Sequence, residues 1–94
     1  MNNNINPLKY NCQVLLEKST LEECNDSSFP TSAYIISYEV DGKDYIDLVV
    51  GKKSNIFDMY YDTYGPGVVK KISFGYGKVD PKMWGYKPKE KKRK

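Results

Sequence analysis

The chain contains no histidine. That absence removes the commonest general base, the usual partner of cysteine at zinc, and every Ser–His or Cys–His nucleophile. Cysteine is scarce as well. Cys12 and Cys24 are the whole supply, too few for the disulfide framework of a small secreted scaffold, so both are expected as reduced, partly buried thiols. No apolar run approaches the roughly 18–20 residues of a membrane span. The opening MNNNINPLKY lacks both the basic and the apolar part of a signal peptide. P-loop and GxGxxG patterns are missing, and the glycines of GYGKV (75–79) precede no helix cap that could cradle a phosphate. These absences lead to the expectation of no catalytic residue, no cofactor and no metal, hence a non-enzyme.

Arginine occurs once against fourteen lysines. With abundant Asn, Ile and Tyr, this is the bias of an AT-rich genome, as in many phages, viruses, protists and low-GC bacteria. The formal charge of +3 is unevenly placed. Residues 87–94, KPKEKKRK, carry a net +5, which leaves residues 1–86 at −2. A domain-wide basic surface, as in a dedicated DNA-binding fold, is therefore not expected.

What is present is one small globular domain: 94 residues, 39% apolar and 29% charged, near the lower size limit for folding without staples. The expected division is a flexible arm (1–8), a single α+β domain (9–86) and a basic disordered tail (87–94). In 9–18, Tyr10, Cys12, Val14 and Leu16 alternate with polar residues, the period of a half-buried strand. Ser19-x-x-Glu22 has capping-box spacing and predicts a short helical turn over 19–24. NDSSFPTS (25–32) is dense in turn formers.

The strongest local signal is AYIISYEV-DG-KDYIDLVV (33–50), two strands around an Asp-Gly turn. Pairing about that turn collects Ala33, Ile35, Ser37, Ile46, Leu48 and Val50 on one face. The other face receives Tyr34, Ile36, Tyr38, Val40, Tyr45, Asp47 and Val49. The aliphatic face reads as core, and the tyrosine face, with its charge, as partly wet. A helix follows over about 55–64, with Ser54 as N-cap and Gly65-Pro66 as stop. Ile56, Met59, Tyr60, Thr63 and Tyr64 share one stripe, and Tyr61 points elsewhere. This helix is expected on the aliphatic face. A last strand is expected in 67–79, then a turn and an extended aromatic segment over 80–88. A full helix at 19–24 would give the βαββαβ order of ferredoxin-like folds. Six residues are too few for that, so the expectation is a three- to four-stranded, mainly antiparallel sheet with one helix on one face.

Two features suggest binding. Tyr34, Tyr38 and Tyr45 on the tyrosine face, with Tyr61 and Trp84, are the candidate partner-binding residues. Lys87, Lys89, Lys91, Lys92, Arg93 and Lys94 are the candidate polyanion contacts. The run KISFGYGKV lacks the first glycine of the RNA-recognition motif's signature and lies on the last strand, so that motif is rejected. Asp58 and Asp62, four apart on the helix, read as a solvated face. The resulting expectation is a protein-binding accessory module using its tyrosine-rich sheet face. The alternative is a nucleic-acid binder using the tail and exposed aromatics. The cytoplasm is the expected location, with the nucleus as alternative because PKEKKRK resembles a short basic localisation signal.

Overall fold

In the computed structural model, which describes residues 5–26, 32–73 and 79–85, the Asp41–Gly42 turn sets the architecture. Both residues have positive φ, 54° and 79°, the backbone of a two-residue hairpin turn whose twist matches its strands. It joins β2 (Ala33–Val40) to β3 (Lys43–Val50) in an unbroken antiparallel register from Val40↔Lys43 to Ala33↔Val50. Strand β1 (Gln13–Ser19) pairs antiparallel with β3, and β4 (Val69–Ile72) with β2, giving the order β1-β3-β2-β4. The expected antiparallel α+β sheet is thus present with four strands.

Helices lie on both faces. Helix α1 (Leu21–Asp26) and α2 (Lys53–Tyr64) complete a βαββαβ chain order. Strands β1 and β2 both run antiparallel to β3, which lies between them, so β1, α1 and β2 form a split βαβ unit, and β4 adds beside β2. Helix α1 does begin with a capping box, but one residue later than expected. Thr20 Oγ1 accepts from Glu23 N–H at 3.0 Å, and Glu23 Oε1 accepts from Thr20 N–H at 3.4 Å. Helix α2 starts at Lys53, before Ser54, and Lys52 is its N-cap without a side-chain bond. Its buried residues are Ile56, Met59 and Tyr60, the expected stripe. Residues 81–84 form a helical turn, α3 (Pro81–Trp84), rather than an extended segment. Asp80 caps it by accepting from Lys82 N–H, and Gly85 closes it at φ 68°.

The expected seat of α2 is reversed. Helix α2 packs on the tyrosine face, where Ile36, Tyr38 and Val49 meet Ile56, Met59 and Tyr60 in one core. The aliphatic face is covered instead by α1, with Leu21 and Cys24 against Ala33, Ile35, Ile46 and Leu48; Val79 and Trp84 pack at its margin. The Asn25 side-chain amide clamps this margin. It donates to the Val79 carbonyl at 2.8 Å and accepts from Val79 N–H at 2.9 Å.

Strand β1 departs from simple alternation. A 3-10 turn at Pro7–Tyr10 precedes it, Ile5 packs against the α2-side core, and the strand proper begins at Gln13. Its register slips between Val14 and Leu16 and again before Ser19. Val14 therefore packs with the α2-side core while Leu16 turns to the α1 side, against the expectation that they share a face. At the end of β3, Gly51 lets β1 come close. A Cβ there would lie 2.8 Å from Cys12 Sγ, on a backbone with φ 156°.

Both cysteines are free thiols, and the sheet separates them: Cys12 belongs to the α2-side core and Cys24 to the α1-side core. Burial raises both thiol pKa values, that of Cys24 to about 12, with the charges of Asp47 and Glu23 adding to the effect. Thiolate is the reactive form. Alkylation by iodoacetamide at mildly alkaline pH is expected to be about a hundredfold or more slower in the native protein than in concentrated urea. Rapid native labelling of Cys24, read by mass spectrometry, would contradict this burial.

Candidate functional site

Two places in the fold gather side chains with chemistry to offer. One lies inside, between α2 and the sheet, and the other lies at the free side of β4.

The inner one is built on Asp47, a fully buried carboxylate in the middle of β3. A bare charge there would be prohibitive. Three donors meet it. Tyr60 OH donates to Oδ2 at 2.5 Å, and Tyr38 OH and the Lys18 backbone N–H donate to Oδ1 at 3.1 and 2.8 Å. Lys18 reaches it because it sits at φ 53° between the second register slip's partners, Leu16 and Ser19. Around the carboxylate, Tyr38 meets Tyr60 edge-on at 4.9 Å, Tyr64 stacked at 5.6 Å and Tyr45 at 5.6 Å between ring centroids. The Lys18 ammonium stands 5.1 Å from the Tyr45 ring centre, a cation–π distance.

The electrostatics follow from burial. Desolvation raises the Asp47 pKa, against the lowering effect of the Lys18, Tyr60 and Tyr38 bonds, with Glu17 adding a further rise. Desolvation and then the Asp47 charge push the Tyr38 and Tyr60 phenols far up. They remain protonated donors at neutral pH. Tyr38, Asp47 and Tyr60 have no exposed surface, so this cluster holds α2 to the sheet and offers nothing to a ligand from outside.

The outer place is an open groove of about 350 Å³ lined by Phe57, Val69, Lys70, Lys71, Ile72 and Trp84. Phe57 comes from the exposed edge of α2, one residue after buried Ile56. Trp84 comes from α3 on the other side of the sheet. Strand β4 forms the floor, and among the described residues no strand pairs with its outer side. A register shift between Ser37 and Tyr38 leaves Lys70 as an extra residue in β4, a bulge. Lys70 Nζ then reaches Glu39 at 2.9 Å and Asp44 at 3.4 Å. Lys71 Nζ donates to the Trp84 carbonyl at 2.5 Å, and no carboxylate among the described residues pairs with it. Nearby carboxylates raise the Lys70 pKa, first through the Glu39 hydrogen bond and then through Asp44.

Of the five tyrosine and tryptophan candidates, Tyr34, Tyr38 and Tyr45 meet at the α2-side core, and Tyr61 and Trp84 are not part of that cluster. Tyr38 is buried, and Tyr34 and Tyr45 are half-buried against the α2-side core. The tyrosine face is therefore covered rather than wet, because the phenols satisfy the one charge that made it look polar. Tyr61 is 56% exposed on α2, and of the five Trp84 alone lines the groove. Residues 87–94, with all six polyanion candidates, lie outside the described residues. Asp62 accepts a bond from Tyr10 OH at 2.6 Å. No group of three potential metal ligands occurs among the described residues, and no described helix is long and apolar enough to cross a membrane. Sequence reasoning missed Phe57 and underrated Asp47. The available signal for Asp47 was a lone carboxylate between Ile46 and Leu48 in an otherwise apolar strand half.

The chain matches no known protein-family model, no curated protein and no solved structure.

Replacing Asp47 tests the inner cluster. Asp47→Leu strands two phenols and one backbone N–H and is expected to cost about 3–5 kcal/mol, enough to unfold a marginal domain. Asp47→Asn keeps acceptor and donor capacity and is expected to fold. The Asp47 pKa is raised on folding, so its contribution is greatest below the unfolded value of about 3.9 and declines as pH rises through the folded value. The stability of the native sequence relative to Asp47→Asn, from urea melts, should therefore fall with rising pH over that window. Parallel pH profiles would contradict the assignment.

Proposed function

We propose that this protein is a small non-enzymatic binding module that holds a protein partner in the groove along β4. The observation that carries this reading is the outer side of β4, which no strand among the described residues covers, between two aromatic walls, Phe57 from one face of the sheet and Trp84 from the other. Aromatic side chains beside a free sheet edge suit a chain that brings both backbone groups and apolar side chains. The most perturbed carboxylate and phenols are used up inside the fold, which favours binding over acid–base chemistry. The rest of the surface adds Tyr61, 56% exposed, and Met83, 80% exposed, as contacts at the periphery. An accessory protein acting by attachment in the cytoplasm fits this reading and the acidic charge of residues 1–86.

Panning a random peptide library on the folded protein tests it. Enriched peptides are expected to lose about fivefold or more in affinity on Phe57→Ala, a partly exposed position whose truncation leaves the core intact. The reading fails if no peptide is enriched over an unrelated protein, or if Phe57→Ala binds as well as the native chain. It also fails if a single-stranded oligonucleotide binds, with a steep salt dependence, where peptides do not.

A further inference from the structure

The flank of β4 carries information about what it accepts. Ser73 N–H donates to the Ile35 carbonyl at 2.9 Å and Ile35 N–H donates to Ser73 Oγ at 2.8 Å, so both backbone groups of Ile35 face the β4 side. Antiparallel alternation then turns the N–H and C=O of Ile72, opposite Ile36, away from β2 and toward the groove. Ile72 is thus a ready donor–acceptor pair for one residue of an incoming antiparallel strand. The side chains sort by face. Ile72 and Val69 belong with the α2-side core, beside Phe57. Lys70 and Lys71 both leave on the α1 side, toward Glu39, Asp44 and the Trp84 carbonyl. Lys70 is already compensated by two carboxylates, whereas among the described residues no carboxylate meets Lys71.

Edge lysines and a bulge are devices that keep an exposed strand from pairing indiscriminately. They discourage a strand that brings another cation, and they leave the edge open to one that brings an anion. Resting on the docking reading above, we infer that β4 is extended by an antiparallel segment of a partner in which an acidic residue is flanked by apolar ones. The apolar residue opposite Ile72 lies on the Phe57 side, and its acidic neighbour, opposite Lys71, lies on the lysine side. Residues directly opposite in a sheet share a face, so this order is dictated by the register rather than chosen.

Capped pentapeptides of sequence Ser-Val-Glu-Val-Ser and Ser-Val-Lys-Val-Ser test the inference by NMR titration of the full chain. The glutamate peptide is expected to bind about three- to fivefold more tightly than the lysine one, the worth of a partly exposed ion pair. Binding should slow hydrogen exchange of the Ile72 amide and leave that of Ser73, already bonded to Ile35, unchanged. Methylating both valine amide nitrogens should abolish binding, and methylating the glutamate nitrogen should leave it intact, because only the valines pair in the antiparallel register. Lys71→Glu should reverse the preference between the two peptides. Equal binding of both peptides, or equal effects of the two methylation patterns, would overturn the inference. If neither pentapeptide binds while library peptides still depend on Phe57, strand addition is refuted and the docking reading stands. If the library yields nothing either, both fall.

Discussion

The carboxylate of Asp47 is the constraint around which the rest of the fold is arranged. A buried anion in a chain of 94 residues is tolerable only if its lone pairs are met. The partners come from three separate elements: Tyr38 from β2, Tyr60 from α2 and the Lys18 amide from β1. Any other seating of α2 would leave the carboxylate, or the Tyr60 phenol, without its bond. The interaction thereby selects one arrangement among several that hydrophobic burial alone would accept. The left-handed backbone at Lys18, within the slipped register of β1, is what brings an amide that would otherwise lie in the sheet plane to the carboxylate.

With the tyrosine face closed by α2, the aliphatic face has to be covered by smaller pieces. Leu21 and Cys24 of the six-residue α1 are fully buried there, and the Val79–Trp84 segment is pinned by Asn25 at its margin. Both faces of the sheet are then used for packing. Among the described residues no strand covers the outer side of β4, which lies between Phe57 and Trp84. Two lysines and a bulge lie along that flank, and the Ile72 N–H and C=O face away from β2.

The strands, the Asp-Gly turn and the helical stripe of Ile56, Met59 and Tyr60 were legible in the sequence because each is a local pattern of period or turn chemistry. Which face α2 covers was not local. A strand pattern containing tyrosines and a carboxylate looks half-solvated until their hydroxyls and the carboxylate are seen to satisfy one another across elements. The slip in β1 was illegible for a related reason: Leu15 and Leu16 are both apolar, so nothing in their order marks where alternation breaks. The groove depends on which strand ends at the side of the sheet. Sequence periodicity does not encode that order, so nothing in the sequence marks Phe57, which lies beside the buried stripe of its helix.

The most direct test of this account is a double-mutant cycle between Tyr60→Phe and Asp47→Asn, measured by chemical denaturation. If the Tyr60–Asp47 bond seats α2, the two changes should be coupled by about 1 kcal/mol or more, as expected for a buried bond to a charged group. Strictly additive losses would contradict the claim that this carboxylate organises the fold.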